Sequence, residues 1–198
     1  MHKMEPNTDQ ILVEKALAGD TRAFGTLVSQ YQDFIYTIVL RIVKVHEEAE
    51  EVAQDTFIKA FESLSSYRGE AKFSSWLYSI AYRKALDRVR KNKRVRSLEL
   101  IEDITEKEVE TVDNALYYLQ DKERKEVIQQ SIMALPDQES AIITLYYFES
   151  QSVREIAEIT QLTEDNVKIK LYRSRKKLFT LLKQYVLPEI ADNNGKAI

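Results

Sequence analysis

Apolar residues recur along this chain at intervals of three and four, and the breaks in that rhythm divide it into helices. The first is expected over Thr8–Ala18, with Asn7 or Thr8 as its N-cap and Gly19 at its stop. Asp20 then stands ready to cap a longer helix whose Phe24, Leu27, Val28, Tyr31, Ile35, Ile38, Val39 and Ile42 share one face. A third begins near Glu47, where an acidic first turn suits the helix dipole. It is expected to bury Ala49, Val52, Ala53, Phe57, Ala60, Phe61 and Leu64. The stretch SSYRGEAK breaks the rhythm and reads as a loop, with Gly69 the only glycine between Gly25 and Gly195. A fourth helix follows from about Ser74, carrying Trp76, Leu77, Ile80, Ala81, Ala85 and Val89, and ends in basic residues.

From about Arg96 to Tyr118 the rhythm fades and acid takes its place. It returns in four further helices, expected over Lys122–Ala134, Asp137–Phe148, Val153–Ile159 and Glu164–Val186, before the tail ADNNGKAI. The predicted fold is all-α, two small helical domains joined by an acidic linker. A four-helix N-terminal domain covers 1–95, the linker 96–120, a C-terminal helix-turn-helix domain 121–188, and a flexible tail 189–198. Four glycines and three prolines in 198 residues agree with so helical a chain.

Composition mainly excludes. There is no cysteine, so disulfides and thiolate metal sites are ruled out. No apolar run approaches the roughly 20 residues of a membrane span, and MHKMEPNTDQ lacks the apolar stretch of a secretory signal. A cytoplasmic protein without membrane insertion is expected. Two histidines and no glycine-rich phosphate loop leave little catalytic material. His46 has Val43 three residues before it, so the Glu-x-x-His spacing of a di-iron bundle fails. No enzymatic activity, catalytic residue, cofactor or metal is expected.

The net charge of −3 is unfavourable for a nucleic-acid binder until its distribution is read. Arg83, Lys84, Arg88, Arg90, Lys91, Lys93, Arg94 and Arg96 form one basic run. Lys168, Lys170, Arg173, Arg175, Lys176, Lys177 and Lys183 form another, with the acidic stretch between them. Two basic modules on an acidic connector suit two nucleic-acid contacts, although solvated helix faces have the same composition.

The second run lies in SVREIAEITQLTEDNVKIKLYRSRKKL. Ser152 and Glu155 have capping-box spacing, a turn through Gln161 and Leu162 follows, and Thr163 is placed to cap the next helix. Val167, Leu171, Ser174 and Leu178 form the inward face of that helix. Two helices, a tight turn and a basic second helix describe a helix-turn-helix. The major groove admits an α-helix, and the residues near its N-terminal end reach base edges. Lys168, Ile169, Tyr172 and Arg173 lie off the packed face in that first half, while Arg175, Lys176 and Lys177 are better placed for phosphates.

At these residues the chain resembles a known family. HEEAEEVAQDTFIKAFESLSSYRGEAKFSSWLYSIAYRKALDRVRKNKR looks like the second conserved region of bacterial RNA polymerase sigma factors of the extracytoplasmic-function (ECF) group. LPDQESAIITLYYFESQSVREIAEITQLTEDNVKIKLYRSRKKL resembles their fourth region, and the two follow in the family's order. The resemblance implies a factor that binds core polymerase and directs promoter-specific initiation. EEVAQDTF matches the helix that grips the clamp helices, which singles out Glu51, Gln54 and Asp55 as core contacts. The loop and the helix after it match the part that opens and reads the minus-ten element. Arg68 to Ser75 is then the segment expected to capture a flipped base, including Lys72, Phe73 and Ser74. Tyr67, Phe73, Trp76 and Tyr82 are candidate stacking surfaces, with core packing the equal alternative for Phe73 and Trp76, and Lys72, Arg83, Lys84 and Arg88 are candidate phosphate contacts.

The fourth region in the family binds the minus-thirty-five element and the flap of the second-largest subunit. Many relatives carry Gly-Thr before the valine where this chain has Asp165-Asn166, and Ser or Thr at the position of Ile169. Asn166 offers a base or phosphate a hydrogen bond, and Ile169 offers only apolar contact, for instance to a thymine methyl. The acidic linker matches in position the segment that threads near the polymerase active centre, where its carboxylates would imitate RNA phosphates. An anti-sigma factor is a further partner the family implies, although no residue here requires it. The competing reading is a one-component helix-turn-helix regulator that binds duplex DNA without polymerase. It accounts for the second module but not for the basic, aromatic end of the first.

Overall fold

The computed structural model describes residues 6–92 and 122–193, with side chains over 8–92 and 126–182. The expected linker at 96–120, the cations Lys93, Arg94 and Arg96, the side chain of Lys183 and the last five residues lie outside them. The chain divides into two compact helical units, each described by itself.

The first unit holds α1 (Pro6–Leu17), α2 (Thr21–Val43), α3 (His46–Glu62), a 3-10 turn (Leu64–Ser66) and α4 (Phe73–Lys91). Helix α1 already includes Pro6 and Asn7, ahead of the expected Thr8. Gly19 ends it with φ at +98°, a left-handed conformation that side chains resist. The Asp20 side chain then accepts from the Arg22 backbone N–H at 3.0 Å, as its position predicted.

Helix α2 is the centre of the unit and packs on α1, α3 and α4. Its Leu27, Ile35, Ile38, Val39 and Ile42 are fully buried, and α4 answers with Leu77, Ala81 and Ala85. Helix α3 contributes Ala49, Val52 and Ala60, so small residues bring it close. Phe61 departs from expectation. It is 49 % exposed and leans edge-on against Phe24, ring centroids 5.0 Å apart, while Thr56 takes a core position by returning its hydroxyl to the Val52 carbonyl.

The second unit, which takes in the chain as far as Ile156 and again from Leu162, holds α5 (Lys122–Ala134), α6 (Asp137–Tyr147), the start of α7 (Val153–Thr160) and α8 (Glu164–Asn193), with α5, α6 and α8 in mutual contact. Its core gathers Ile132 and Leu135, Ile142, Ile143 and Leu145, and Val167, Leu171 and Leu178. Helix α8 runs past Val186 and through Pro188 to Asn193, so the expected tail is helical in its first residues. Proline removes one rung of the ladder, but no glycine follows until Gly195. Among the described residues no helix is long and apolar enough to cross a membrane, and no three or more His, Asp or Glu side chains are grouped to hold a metal.

Candidate nucleic-acid interface

The helix-turn-helix is set by its caps. The Ser152 backbone N–H donates to Glu155 Oε2 at 2.8 Å, and the Glu155 N–H donates back to Ser152 Oγ at 3.2 Å. This is the reciprocal capping box that the spacing predicted. Gln161 turns the chain at φ +59°, and Thr163 Oγ1 accepts from the Asn166 N–H at 3.2 Å to open α8. Val167, Leu171, Ser174 and Leu178 all face inward, as expected.

Turning those four inward leaves Asn166, Lys168, Ile169, Tyr172 and Arg173 exposed together at the start of α8. Ile169 and Tyr172 are each 47 % exposed, a large apolar surface for an isolated helix face to leave in water. Lys168 reaches Asp165 at 3.3 Å, a solvent-exposed pair one turn apart that costs little to break.

In the second half of α8 the cations expected at phosphates have partners within the chain. Arg175 lies over the rings of Tyr146 and Tyr147, 5.5 and 5.6 Å from their centroids, and its Nε donates to the Tyr147 hydroxyl at 2.6 Å. Lys177 is paired with the buried Glu139 of α6 at 2.9 Å. Lys176 is 5 % exposed and has partners within the chain. Lys176 is the one of the three that is buried, and a buried cation must be paired. Composition could not reveal these partners, because those of Arg175 and Lys177 lie 28 and 38 residues away.

In the first unit the loop between the 3-10 turn and α4 exposes Arg68, Glu70 and Lys72. Its shape comes from Gly69, at φ +73°, and from the Tyr67 hydroxyl, which donates to the Ala71 carbonyl at 2.8 Å. Behind it sits an aromatic cluster. Tyr67 lies 5.6 Å from Phe73 and 5.5 Å from Trp76, and Phe73 lies 5.6 Å from Trp76, between centroids. The candidate stacking residues divide here. Trp76 and Tyr67 are half-buried with some surface, whereas Phe73 and Tyr82 are 2 % exposed and offer no free face. Phe73 is the first residue of α4 and turns into the core toward Tyr31, 5.8 Å away. Ser75 is likewise buried, and Ser74 half-buried.

The candidate phosphate contacts and core contacts prove to be partners of one another. Arg88 forks onto Glu51 Oε2 with both terminal nitrogens at 3.0 Å, and Lys84 approaches Asp55 at 3.5 Å. Asn92 adds a bond from Nδ2 to Glu48 at 2.8 Å. Residues 48, 51 and 55 of α3 thus face the C-cap residue 92 and residues 88 and 84 of α4 along the seam between the helices. Gln54 is exposed on α3, and the exposed Arg83 bonds back to Ser79.

Comparison with known proteins bears on both units. The family model described as Sigma-70 region 2 matches residues 27–95, and that described as Sigma-70, region 4 matches residues 125–178. The chain is similar to the RNA polymerase sigma-H factor of Pseudomonas aeruginosa, 34 % identical over 177 residues that span 84 % of this chain and 90 % of that one. It is equally similar to the ECF RNA polymerase sigma factor SigW of Bacillus subtilis, 34 % identical over 172 residues, spanning 84 % and 92 %. In fold it resembles the structure of CnrH in complex with the cytosolic domain of CnrY, with a TM-score of 0.64 at 24 % identity over 90 % of this chain and 99 % of that one.

Proposed function

Because this chain belongs to the ECF family of RNA polymerase sigma factors, we propose that three separate surfaces divide its work between polymerase, an opened promoter strand and duplex DNA. As a member of that family it directs RNA polymerase to promoters and is not an enzyme.

The start of α8 reads the minus-thirty-five duplex. What carries this reading is the joint exposure of Asn166, Lys168, Ile169, Tyr172 and Arg173 on a capped helix. An α-helix end of that kind fits the major groove, with Lys168 and Arg173 as donors and Ile169 as an apolar contact. Arg175, Lys176 and Lys177 hold the helix against its own unit rather than DNA.

The loop Arg68–Lys72 and the start of α4 take the minus-ten strand. Flipping a base costs a few kcal/mol, and stacking on an aromatic returns about 1–3 kcal/mol per base. Trp76 and Tyr67 supply that surface, with Arg68, Lys72 and Arg83 as cations. Glu51, Gln54 and Asp55 dock on the clamp helices of polymerase, and the second unit on the flap. Docking that engages Glu51 and Asp55 leaves Arg88 and Lys84 to phosphates, an exchange made easy by the small worth of exposed ion pairs. The protein works in the cytoplasm, and an anti-sigma factor that clamps the two units would hide both DNA surfaces.

The test separates the steps. Glu51→Ala with Asp55→Ala should weaken association with core polymerase, Lys168→Ala with Arg173→Ala should weaken minus-thirty-five duplex binding by the holoenzyme, and Arg68→Ala should impair promoter opening after normal binding. Loss of the same step in all three variants would contradict this division.

A further inference from the structure

Asp9 lies on α1, outside the stretch matched to Sigma-70 region 2, and the promoter-binding surfaces above make no use of it. It is nevertheless 8 % exposed, a rare position for an aspartate. The Tyr31 hydroxyl donates to its Oδ2 at 2.5 Å, and Oδ1 is buried without a hydrogen-bond partner among the described residues. Burial pushes the Asp9 carboxyl above the ordinary aspartate range, with the Tyr31 bond opposing in part. Tyr67 is raised too, by its own burial first and then by the negative charge of Asp9.

Packing runs the same way. Tyr31 passes from Asp9 to Phe73, and Phe73 joins Tyr67 and Trp76 behind the loop. A second thread comes from the next residue of α1. A Cβ built on Gly69 would stand 3.4 Å from Gln10 Oε1, so α1 lies directly against the loop. Helix α1 also contacts the 3-10 turn that leads into it. A loop that must receive a base loses less entropy on binding if its shape is already fixed.

We infer that Asp9 is a positioning residue for minus-ten strand recognition: through Tyr31 it holds the Tyr31–Phe73–Tyr67–Trp76 cluster, and with it the shape of the loop that receives the base. This rests on the assignment of that loop to the minus-ten strand. Asp9 itself touches no DNA.

The experiment uses full-length protein reconstituted with core polymerase and a labelled single-stranded minus-ten oligonucleotide, from a promoter identified by run-off transcription. Trp76 is the only tryptophan in the chain, so its emission in the free protein, before core polymerase is added, reports on the cluster. Asp9→Ala and Tyr31→Phe should each weaken strand binding at least fivefold and shift Trp76 emission to the red. Asp9→Asn, which still accepts from Tyr31, should restore binding to within twofold. Core association and minus-thirty-five duplex binding should stay unchanged throughout. Full strand affinity in both Asp9→Ala and Tyr31→Phe overturns the inference, and so does a parallel loss of core and duplex binding. Should Asp9→Ala fail to fold, Tyr31→Phe decides alone, since it removes only the hydroxyl. Strand binding that survives Arg68→Ala contradicts the loop assignment instead. Weak binding in Arg68→Ala beside full binding in the Asp9 and Tyr31 variants contradicts only the role of Asp9.

Discussion

Lys168 and Lys177 carry the same charge on the same helix and are put to opposite uses. Lys168 is exposed beside a solvated Asp165, whereas Lys177 is largely buried against Glu139. Removing Lys177 strands a buried carboxylate, which typically costs about 3–5 kcal/mol. Lys177→Ala should therefore destabilise the second unit by about 3 kcal/mol, and urea unfolding followed by circular dichroism would measure it. An unchanged midpoint would mean that the pair contributes nothing. Asp9 makes a prediction of the other sign. Its raised pKa means that the fold favours the protonated carboxyl. The stability gained that way is full below the unfolded aspartate value, about 4, and is lost as pH rises through the folded one. Asp9→Asn removes the cost of the charge, so its stability relative to the parent should rise from about pH 4 to pH 7. Urea midpoints at the two pH values check this, and a pH-independent difference would contradict it.

Helices were the most legible feature of the sequence, because their signals are local. The Asp20 cap, the Ser152–Glu155 box and the Thr163 cap all form as their spacing predicted. Ser152→Ala breaks the box from one side and should cost about 1 kcal/mol. A fall in melting temperature confined to the second unit would show it, and no change would mean the box is idle. What the sequence hid was the partner across a helix seam. Glu51 and Arg88 are 37 residues apart, and each had its own assigned task before the structure joined them. Phe73 was open between stacking and core packing in the sequence for a related reason. A residue at a loop–helix junction turns either way at equal local cost, and here Tyr31 and the core decided it. Phe61 went the other way, since helical spacing marks a face but not where that face ends.

For the whole molecule, the sequence carried the division into two helical units and the family. Both rest on long stretches in a fixed order rather than on any one residue. The candidate site was half legible. The start of α8 is exposed as read, because four inward residues at helical spacing dictate which others face out. The intramolecular partners of the cations beyond it were not legible, since charge alone does not distinguish a phosphate contact from the partner of a buried acid. The central claim, that this chain directs polymerase through the start of α8, has one direct measurement. Core polymerase is incubated with fragmented genomic DNA of the source, with and without the protein, and run-off transcripts are sequenced. New protein-dependent transcripts should share two motifs upstream of their starts, and Lys168→Ala with Arg173→Ala should abolish them while Lys170→Ala retains most. No new transcripts and no association with core polymerase would contradict the account, leaving a helix-turn-helix regulator that binds duplex DNA alone.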